Sequence, residues 1–265
     1  MHYIQLFLVC FFSSLLSCIS IAKAENFLAM AAPYPPYSIS NGLRVEGISV
    51  TTLMTIMQRC GTPISNQEIK LAPWAYAYEC TARTPQRIIL NAVRTPKTEQ
   101  LYKWVGPIAT SKVVLIGRKK DKFLINTKSD LKGLRIATVR WSRPEKALLA
   151  GGINANKLHR SPAHVQALRK LSNGEVDLFA FTEKGAPYLM DGLGMMQDDY
   201  TICYTFDEQP LYFAFSKDTD DSLISQLNKE LKILKATGAS GQSQFDILLA
   251  EEIQHQKTDH TCRRM

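Results

Sequence analysis

Two arginines and a serine stand directly before one predicted helix. They are Arg140, Ser142 and Arg143. The next residue, Pro144, favours the first position of a helix. A helix N-terminus offers amide donors without partners, and arginine adds paired hydrogen bonds to a carboxylate. The group therefore predicts an anion-binding site, with Arg94 as a further candidate because it begins a Thr-Pro turn. A surface or inter-lobe ion pair is the alternative for each arginine.

The spacing of residues gives less support to metal binding or catalysis. His159 and His164 form one candidate group, and His255, His260 and Cys262 form another, but neither has the compact spacing of a metal site. The sequence has no nucleophile elbow, phosphate loop or dinucleotide fingerprint. We therefore expect no catalytic residues, no metal and no cofactor.

The first residues are typical of an export signal. Residues 4–22 are mostly apolar, and Ala22-Lys23-Ala24 provides a cleavage site, so that residues 1–24 would be removed. Lipid attachment at Cys18 and an uncleaved anchor are the alternatives. The formal net charge of +8 falls to +7 without this segment, which holds one lysine and no acid. Because the basic residues are scattered and the chain is exported, we expect a periplasmic protein that binds no nucleic acid.

Strands and helices alternate in two predicted units. Strands are predicted at residues 25–32, 69–71, 88–93, 134–139 and 176–181. Helices are predicted on the face of Val50, Leu53, Met54 and Met57, at 144–150, at 162–173 with Ser161 as N-cap, and on the face of Leu223, Leu227, Leu231 and Leu234. Two further strands, at 112–117 and 209–216, are predicted to cross between the units. The alternation predicts parallel sheets.

Two units joined by two crossings predict an α/β fold of two lobes with a hinged cleft. The first lobe is discontinuous: residues 25–111 begin it, 112–208 form the second lobe, and 209–265 return to the first. Ligands of open parallel sheets bind beyond the carboxyl ends of the strands. The cleft is therefore the expected site, and lobe closure the expected motion.

Three short motifs follow one another in a typical order. They are Tyr34-Pro35-Pro36-Tyr37, then Arg94-Thr95-Pro96 with Leu101, Trp104, Gly106 and Pro107, then Ser129-Asp130-Leu131-Lys132-Gly133-Leu134. This arrangement resembles bacterial extracytoplasmic solute-binding proteins of the polar amino-acid type, family 3. There an aromatic-proline turn begins the mature domain, a Thr-Pro segment lies at the ligand, and a Leu-Lys-Gly turn opens the second lobe. The resemblance covers nearly the whole mature chain.

The resemblance implies roles for five residues of the cleft. It places the rings of Tyr34 and Tyr37 at the ligand and Trp74 in a segment that lines the cleft, with packing as the alternative for each. The family's carboxylate-binding arginine falls on Thr98, and its ammonium-binding aspartate falls on Thr182. Because both usual anchors of an α-amino acid are missing, the anion is expected at the second lobe near Ser142.

The resemblance also implies a function. We expect a receptor that captures a small polar, anionic or zwitterionic, amino-acid-like ligand and delivers it, as a monomer, to the membrane subunits of an ABC transporter. One alternative is a sensor input protein that reports to a separate signalling protein. Another is a dehydratase-like enzyme on the same scaffold, with Glu145 or Glu183 as acid or base.

Four cysteines lie outside the export segment. They are Cys60, Cys80, Cys203 and Cys262. An even number in an oxidising compartment suggests disulfides, with three possible pairings. We predict that Cys60 pairs with Cys80 and Cys203 with Cys262, because each pair then lies inside one lobe or at its edge. Free buried thiols are the alternative.

Overall fold

The computed structural model describes residues 26–40, 42, 44–238 and 241–262, with the backbone alone for 255–262. The predicted export segment and Cys18 lie outside the described residues. The strands are β1 (Leu28–Ala31), β2 (Ile39–Ser40), β3 (Val45–Glu46), β4 (Ile69–Leu71), β5 (Arg87–Val93), β6 (Lys103–Arg118), β7 (Ile136–Val139), β8 (Leu158–Ser161), β9 (Leu178–Thr182) and β10 (Tyr200–Phe215). The helices are α1 (Ile48–Arg59), α2 (Trp74–Arg83), α3 (Arg143–Ala150), α4 (His164–Ser172), α5 (Gly185–Gly192), α6 (Asp221–Lys235) and α7 (Gln244–Cys262). Within this part of the chain, no helix combines the length and apolar composition that a membrane span requires.

One mixed sheet of eight strands runs through the molecule in the order β4, β1, β5, β10, β6, β9, β7, β8. β1 is parallel to both β4 and β5, and β7 is parallel to both β8 and β9. These two parallel groups are the sheets of two lobes, as the alternation of elements predicts. The antiparallel strands β10 and β6 lie between them.

Two long strands join the lobes. β6 and β10 are each 16 residues long and pair antiparallel along their length; we refer to them as the ribbon. The sequence predicted only 112–117 and 209–216, because Gly106, Pro107 and polar residues interrupt the apolar pattern. The register shift between Leu211 and Phe213 lies opposite Gly106 and Pro107. The predicted lobe boundaries, after residues 111 and 208, fall inside the ribbon and stay predictions.

Apolar side chains cover both faces of the first-lobe sheet, because neighbouring residues of a strand point to opposite faces. Ala29 and Ile88 belong to the core that includes side chains of α1 and α6. Met30 and Ile89 belong to a second core, which includes Ala77 of α2. Helices α1 and α2 therefore pack on opposite faces of the sheet.

The predicted disulfides are wrong, and this packing explains the first of them. Cys60 and Cys80 are both free. Cys60 follows α1 and packs against the core of one sheet face, whereas Cys80 lies in α2 and packs against the core of the other face, so the sheet separates the two thiols. Cys203 is also free and packs in the second lobe. The side chain of its predicted partner, Cys262, lies outside the described side chains.

Helix α4 begins later than predicted, and Ser161 is not its N-cap. The N-cap residue is Ala163, and the helix begins at His164. Ser161 instead ends β8, where it is paired with Val139 and buried. β8 has no recognisable strand pattern, because its four residues contain only one aliphatic side chain, Leu158.

Candidate functional site

Four strands of the two lobes end at one cleft. Tyr34 follows β1, Trp74 follows β4, and Arg140 follows β7, while Thr182 is the last residue of β9. All four line a cavity of about 260 Å³, which we call the narrow cavity. The carboxyl ends of the parallel strands thus converge on the space between the lobes, where a ligand of this kind of fold is expected.

A larger cavity of about 580 Å³ adjoins the narrow one. This wide cavity shares Tyr34, Trp74 and Arg143 with the narrow cavity. It extends along α3, between the first lobe and the ribbon. Its other lining residues include Tyr78, Val93, Lys146, Ala147, Ala150 and Phe206.

Arg143 connects the lobes at the point where the two cavities meet. Its Nη2 donates to Asp207 Oδ2 at 2.9 Å, and its Nη1 donates to Ser111 Oγ at 3.3 Å and to the Tyr34 hydroxyl at 3.4 Å. Asp207 and Ser111 belong to the two strands of the ribbon, and Tyr34 belongs to the first lobe. The Arg143 side chain is 16% exposed, so it is partly desolvated and still accessible from the cavities.

Tyr34 is held in the cleft by aromatic packing and by its hydroxyl. Its ring stacks on Tyr37 at 5.7 Å between centroids and meets the edge of Trp74 at 6.4 Å. Its hydroxyl shares a hydrogen bond of 2.5 Å with Ser111 Oγ. Burial raises the pKa of Tyr34 despite the opposing effect of Arg143. The phenol therefore stays neutral and presents a fixed aromatic surface to both cavities.

Cations outnumber acids on the walls of the cleft. The wide cavity is lined by Lys128, Arg143 and Lys146, and the narrow cavity by Arg140 and Arg143. Asp207 is the one carboxylate on the described walls of these two cavities. All the cations come from the second lobe, so an anionic group would be attracted to that side of the cleft.

His164 adds no charge to the narrow cavity. Its ring packs against Phe181 at 4.9 Å between centroids. Burial lowers the pKa of His164 below its usual value, so the ring is neutral near pH 7. Among the described residues, no group of three or more histidine, cysteine, aspartate or glutamate side chains is placed to hold a metal ion.

Hydrogen bonds within the chain stabilise the start of α3. Ser142 is the N-cap, and its hydroxyl accepts from the amide of Glu145 at 3.3 Å. The buried Glu145 carboxylate accepts from the amide of Trp141 at 2.6 Å and from Arg160 Nε at 2.5 Å. Burial opposes ionisation of Glu145, but the hydrogen bonds from Arg160 and Trp141 outweigh it and lower the pKa of Glu145. An ionised carboxylate tied in this way is poorly suited to act as a general acid.

Glu145→Gln is expected to lower the free energy of unfolding by about 1–3 kcal/mol, because the amide would turn a donor toward the donors of Trp141 or Arg160. Urea unfolding measures the loss. Since the pKa of Glu145 is lowered in the folded state, its contribution is present above the ordinary pKa of glutamate and is lost as the pH falls through the folded pKa. The difference between wild type and variant should therefore shrink below about pH 4.

Glu79→Gln is the matched control for that substitution. The Glu79 carboxylate is 62% exposed and pairs only with the exposed Arg83. Its replacement should change the free energy of unfolding by less than about 0.5 kcal/mol. Equal losses in Glu145→Gln and Glu79→Gln would contradict a structural role for the buried carboxylate.

Six predicted site residues line the two cavities, and three do not. Tyr34, Trp74, Arg140, Ser142, Arg143 and Thr182 line one or both. Arg94 instead forms two hydrogen bonds with Glu99, at 2.6 and 2.5 Å. Thr98 is hydrogen-bonded to Thr95 within its own turn. Tyr37 is buried behind Tyr34 and donates to the carbonyl of Thr110 at 3.3 Å.

Several lining residues were missed in the sequence. Trp141 is 75% exposed and lines the narrow cavity in a left-handed backbone conformation with φ 60°. It lies between Arg140 and Ser142, which are both predicted site residues. Lys146, Ala147 and Ala150 follow Arg143 at helical spacing, so the amphipathic pattern of the predicted helix was a usable signal. For Asp207 in the ribbon, no local pattern exists, because its contact with Arg143 spans 64 positions of the chain.

Solved structures share this architecture. A histidine kinase sensor domain with similarity to periplasmic binding proteins superposes with a TM-score of 0.68 at 18% identity, covering 87% of this chain and 97% of that one. The chain has a periplasmic-binding-protein fold. The arginine-, lysine-, histidine-binding protein ArtJ of Geobacillus stearothermophilus superposes with a TM-score of 0.64 at 15% identity, covering 86% of this chain and 95% of that one. Substrate-binding domain 2 of Lactococcus lactis GlnP, in its open conformation, superposes with a TM-score of 0.63 at 16% identity, covering 87% of this chain and 96% of that one.

These likenesses confirm the predicted two-lobed fold and the structural resemblance to solute-binding proteins. The identities are too low to transfer a ligand. No protein-family model matches the sequence, and a search of curated proteins finds no match. The ligand must therefore be inferred from the cleft of this chain.

Proposed function

We propose that this protein is a periplasmic receptor that closes its lobes on a small anionic or zwitterionic solute. It binds the ligand as a monomer and delivers it to the membrane subunits of an ABC transporter. Residues 25–111 and 209–265 form the first lobe of this receptor, and residues 112–208 form the second.

The position of Arg143 carries the proposal. This arginine extends from the second lobe to Tyr34 of the first lobe and to both strands of the ribbon. An anion bound to it would contact both lobes and the segments that must bend during closure. Charge-assisted hydrogen bonds of this kind are stronger than neutral ones, so the ligand would favour the closed arrangement.

The cleft does not favour a conventional α-amino-acid site. In the solute-binding family that the chain resembles, a carboxylate-binding arginine takes the position of Thr98. An ammonium-binding aspartate takes the position of Thr182. Asp207 is available as a carboxylate in the wide cavity, but it is paired with Arg143. We therefore place the anionic group of the ligand at Arg143 and at the start of α3, near Ser142.

Two measurements test this function. Native mass spectrometry of protein purified without refolding should detect a co-purified small molecule. Titration with succinate, L-glutamate, hydrocinnamate and L-arginine should show binding of at least one acid. Tryptophan fluorescence can monitor the titration, because Trp74 and Trp141 line the cleft. The proposal would be refuted if no co-purified molecule carried an anionic group and no compound of the panel bound.

A sensor input protein is the second candidate. The observation that favours it is the likeness to the sensor domain of a histidine kinase. The site would bind the same anion, but the closed receptor would contact a signalling protein instead of a transporter. Membrane vesicles prepared from the cells that produce the protein separate the two: uptake of labelled ligand supports transport, and ligand-dependent phosphorylation without uptake supports sensing.

A further inference from the structure

The wide cavity is long and mostly apolar beyond Arg143. Its wall on the second lobe is one face of α3, formed by Arg143, Lys146, Ala147 and Ala150. Residues with this spacing lie on one side of a helix. At 1.5 Å per residue, the face from Arg143 to Ala150 is about 10 Å long. The cavity thus continues well past the guanidinium.

The wall on the first lobe is aromatic and aliphatic. Trp74 and Tyr78 of α2 line it, with their rings 6.0 Å apart, and Val93 lies at the end of β5. The Tyr78 hydroxyl already accepts from the amide of Val93 at 3.3 Å. This wall therefore offers flat apolar surface next to the anion-binding arginine.

Phe206 of the ribbon lines the cavity beside Gly151, at the end of α3 away from Arg143. Its ring lies so close to Gly151 that a Cβ atom on that glycine would collide with it. Lys128 Nζ lies 4.8 Å from the centre of the ring on the cavity side. The lining beyond Arg143 is thus rich in aromatic rings and small residues, and Lys128 and Lys146 form no ion pair with any described residue.

We infer that the ligand is an organic acid with an aromatic or similarly apolar body, which lies along α3 while its carboxylate meets Arg143. The inference rests on the proposed receptor function and specifies its ligand class. Flat rings would pack between Trp74, Tyr78 and Ala147, where burial of apolar surface contributes to affinity. A volume of about 580 Å³ lies in the usual range of small-molecule sites, about 300–1,000 Å³.

Hydrocinnamate and its neutral amide test the apolar body and the carboxylate of the inferred ligand separately. Hydrocinnamate carries a phenyl ring and a carboxylate, and hydrocinnamamide keeps the shape without the charge. Calorimetry on the full protein should show that hydrocinnamate binds more tightly than succinate and at least about tenfold more tightly than hydrocinnamamide.

Ala150→Trp tests the place of the ring. Ala150 is exposed at the end of the cavity away from Arg143, so a tryptophan there would fill the space without removing any partner of Arg143. It should weaken hydrocinnamate at least about tenfold and leave succinate unchanged. Leu149→Trp, at the neighbouring exposed position that does not line the cavity, is the matched control and should bind both acids like wild type.

The outcomes separate this inference from the receptor function. Binding of succinate or L-glutamate without hydrocinnamate, or equal binding of hydrocinnamate by wild type and Ala150→Trp, overturns the apolar acid and leaves the receptor intact. If no compound of the panel binds and no anion co-purifies, both proposals fail.

Discussion

Arg143→Ala is expected to weaken the tightest-binding acid of the panel by about ten- to a hundredfold, because a charge-assisted hydrogen bond contributes about 1.5–3 kcal/mol. The side chain is the one cation that lines both described cavities and contacts both lobes. Calorimetric titration of the folded variant measures the loss. Circular dichroism establishes that the variant is folded before titration.

The loss also contains a contribution from Asp207, whose carboxylate would remain in the cleft without its partner. The double variant Arg143→Ala/Asp207→Asn removes that negative charge. The double variant should recover part of the affinity for the acid but bind it more weakly than wild type. The remaining loss measures the direct contact between Arg143 and the acid. Full recovery would mean that Arg143 only neutralises Asp207.

Arg94→Ala is the matched control, because it deletes the same side chain from a place outside both cavities. Arg94 is bound to Glu99 and lies near the rings of Trp104 and Tyr212. Its variant should bind the acid like wild type. Arg140→Ala removes the other cation that lines the narrow cavity and should have an intermediate effect. An Arg94→Ala loss as large as that of Arg143→Ala would contradict the assignment.

Gly185→Val is expected to prevent full closure of the lobes and to weaken ligand binding by more than about tenfold. Gly185 begins α5 in the second lobe, where a Cβ atom would collide with Thr182 Oγ1 of the same lobe and would lie 2.9 Å from both a Phe181 ring carbon and the carbonyl oxygen of Pro35 in the first lobe. A backbone carbonyl in a tight turn has little freedom to move aside. The branched side chain should therefore hold the two lobes apart.

Small-angle scattering with saturating ligand measures this effect. Wild type should become more compact on binding, whereas Gly185→Val should change little at the same occupancy. Lys184→Val is the control, since it adds the same side chain at the exposed preceding residue. A Gly185→Val protein that becomes as compact as wild type would show that this contact does not limit closure.

Local sequence patterns were sufficient for much of the fold. The apolar runs of β4 and β5 and the helical spacing of Leu223, Leu227, Leu231 and Leu234 predicted their elements to within a few residues. Such patterns work because burial requires a period of two in strands and 3.6 in helices. The short β8 was missed because too few of its residues are apolar.

The candidate site was predicted in part for a similar reason. Arg140, Ser142 and Arg143 stand directly before a helix, and the start of a helix is a local property of the chain. Tyr34 and Trp74 follow strands, so the rule that strands of parallel sheets end at one cleft brought them to the site. Only the tertiary structure distinguishes Arg143 from Arg94, because each guanidinium takes the partners that packing brings within reach.

What the sequence alone determined is the alternation of strands and helices in two units, the two-lobed α/β class and the cationic start of α3. Only the tertiary structure decided that Cys60 and Cys80 lie on opposite faces of a sheet, and that Asp207 and Phe206 line the cavity along α3. The physical reason is the distance along the chain over which each interaction acts. Periodicity and capping act over a few residues, whereas the contact between Tyr34 and Arg143 joins residues 109 positions apart and exists only when both lobes pack against the ribbon.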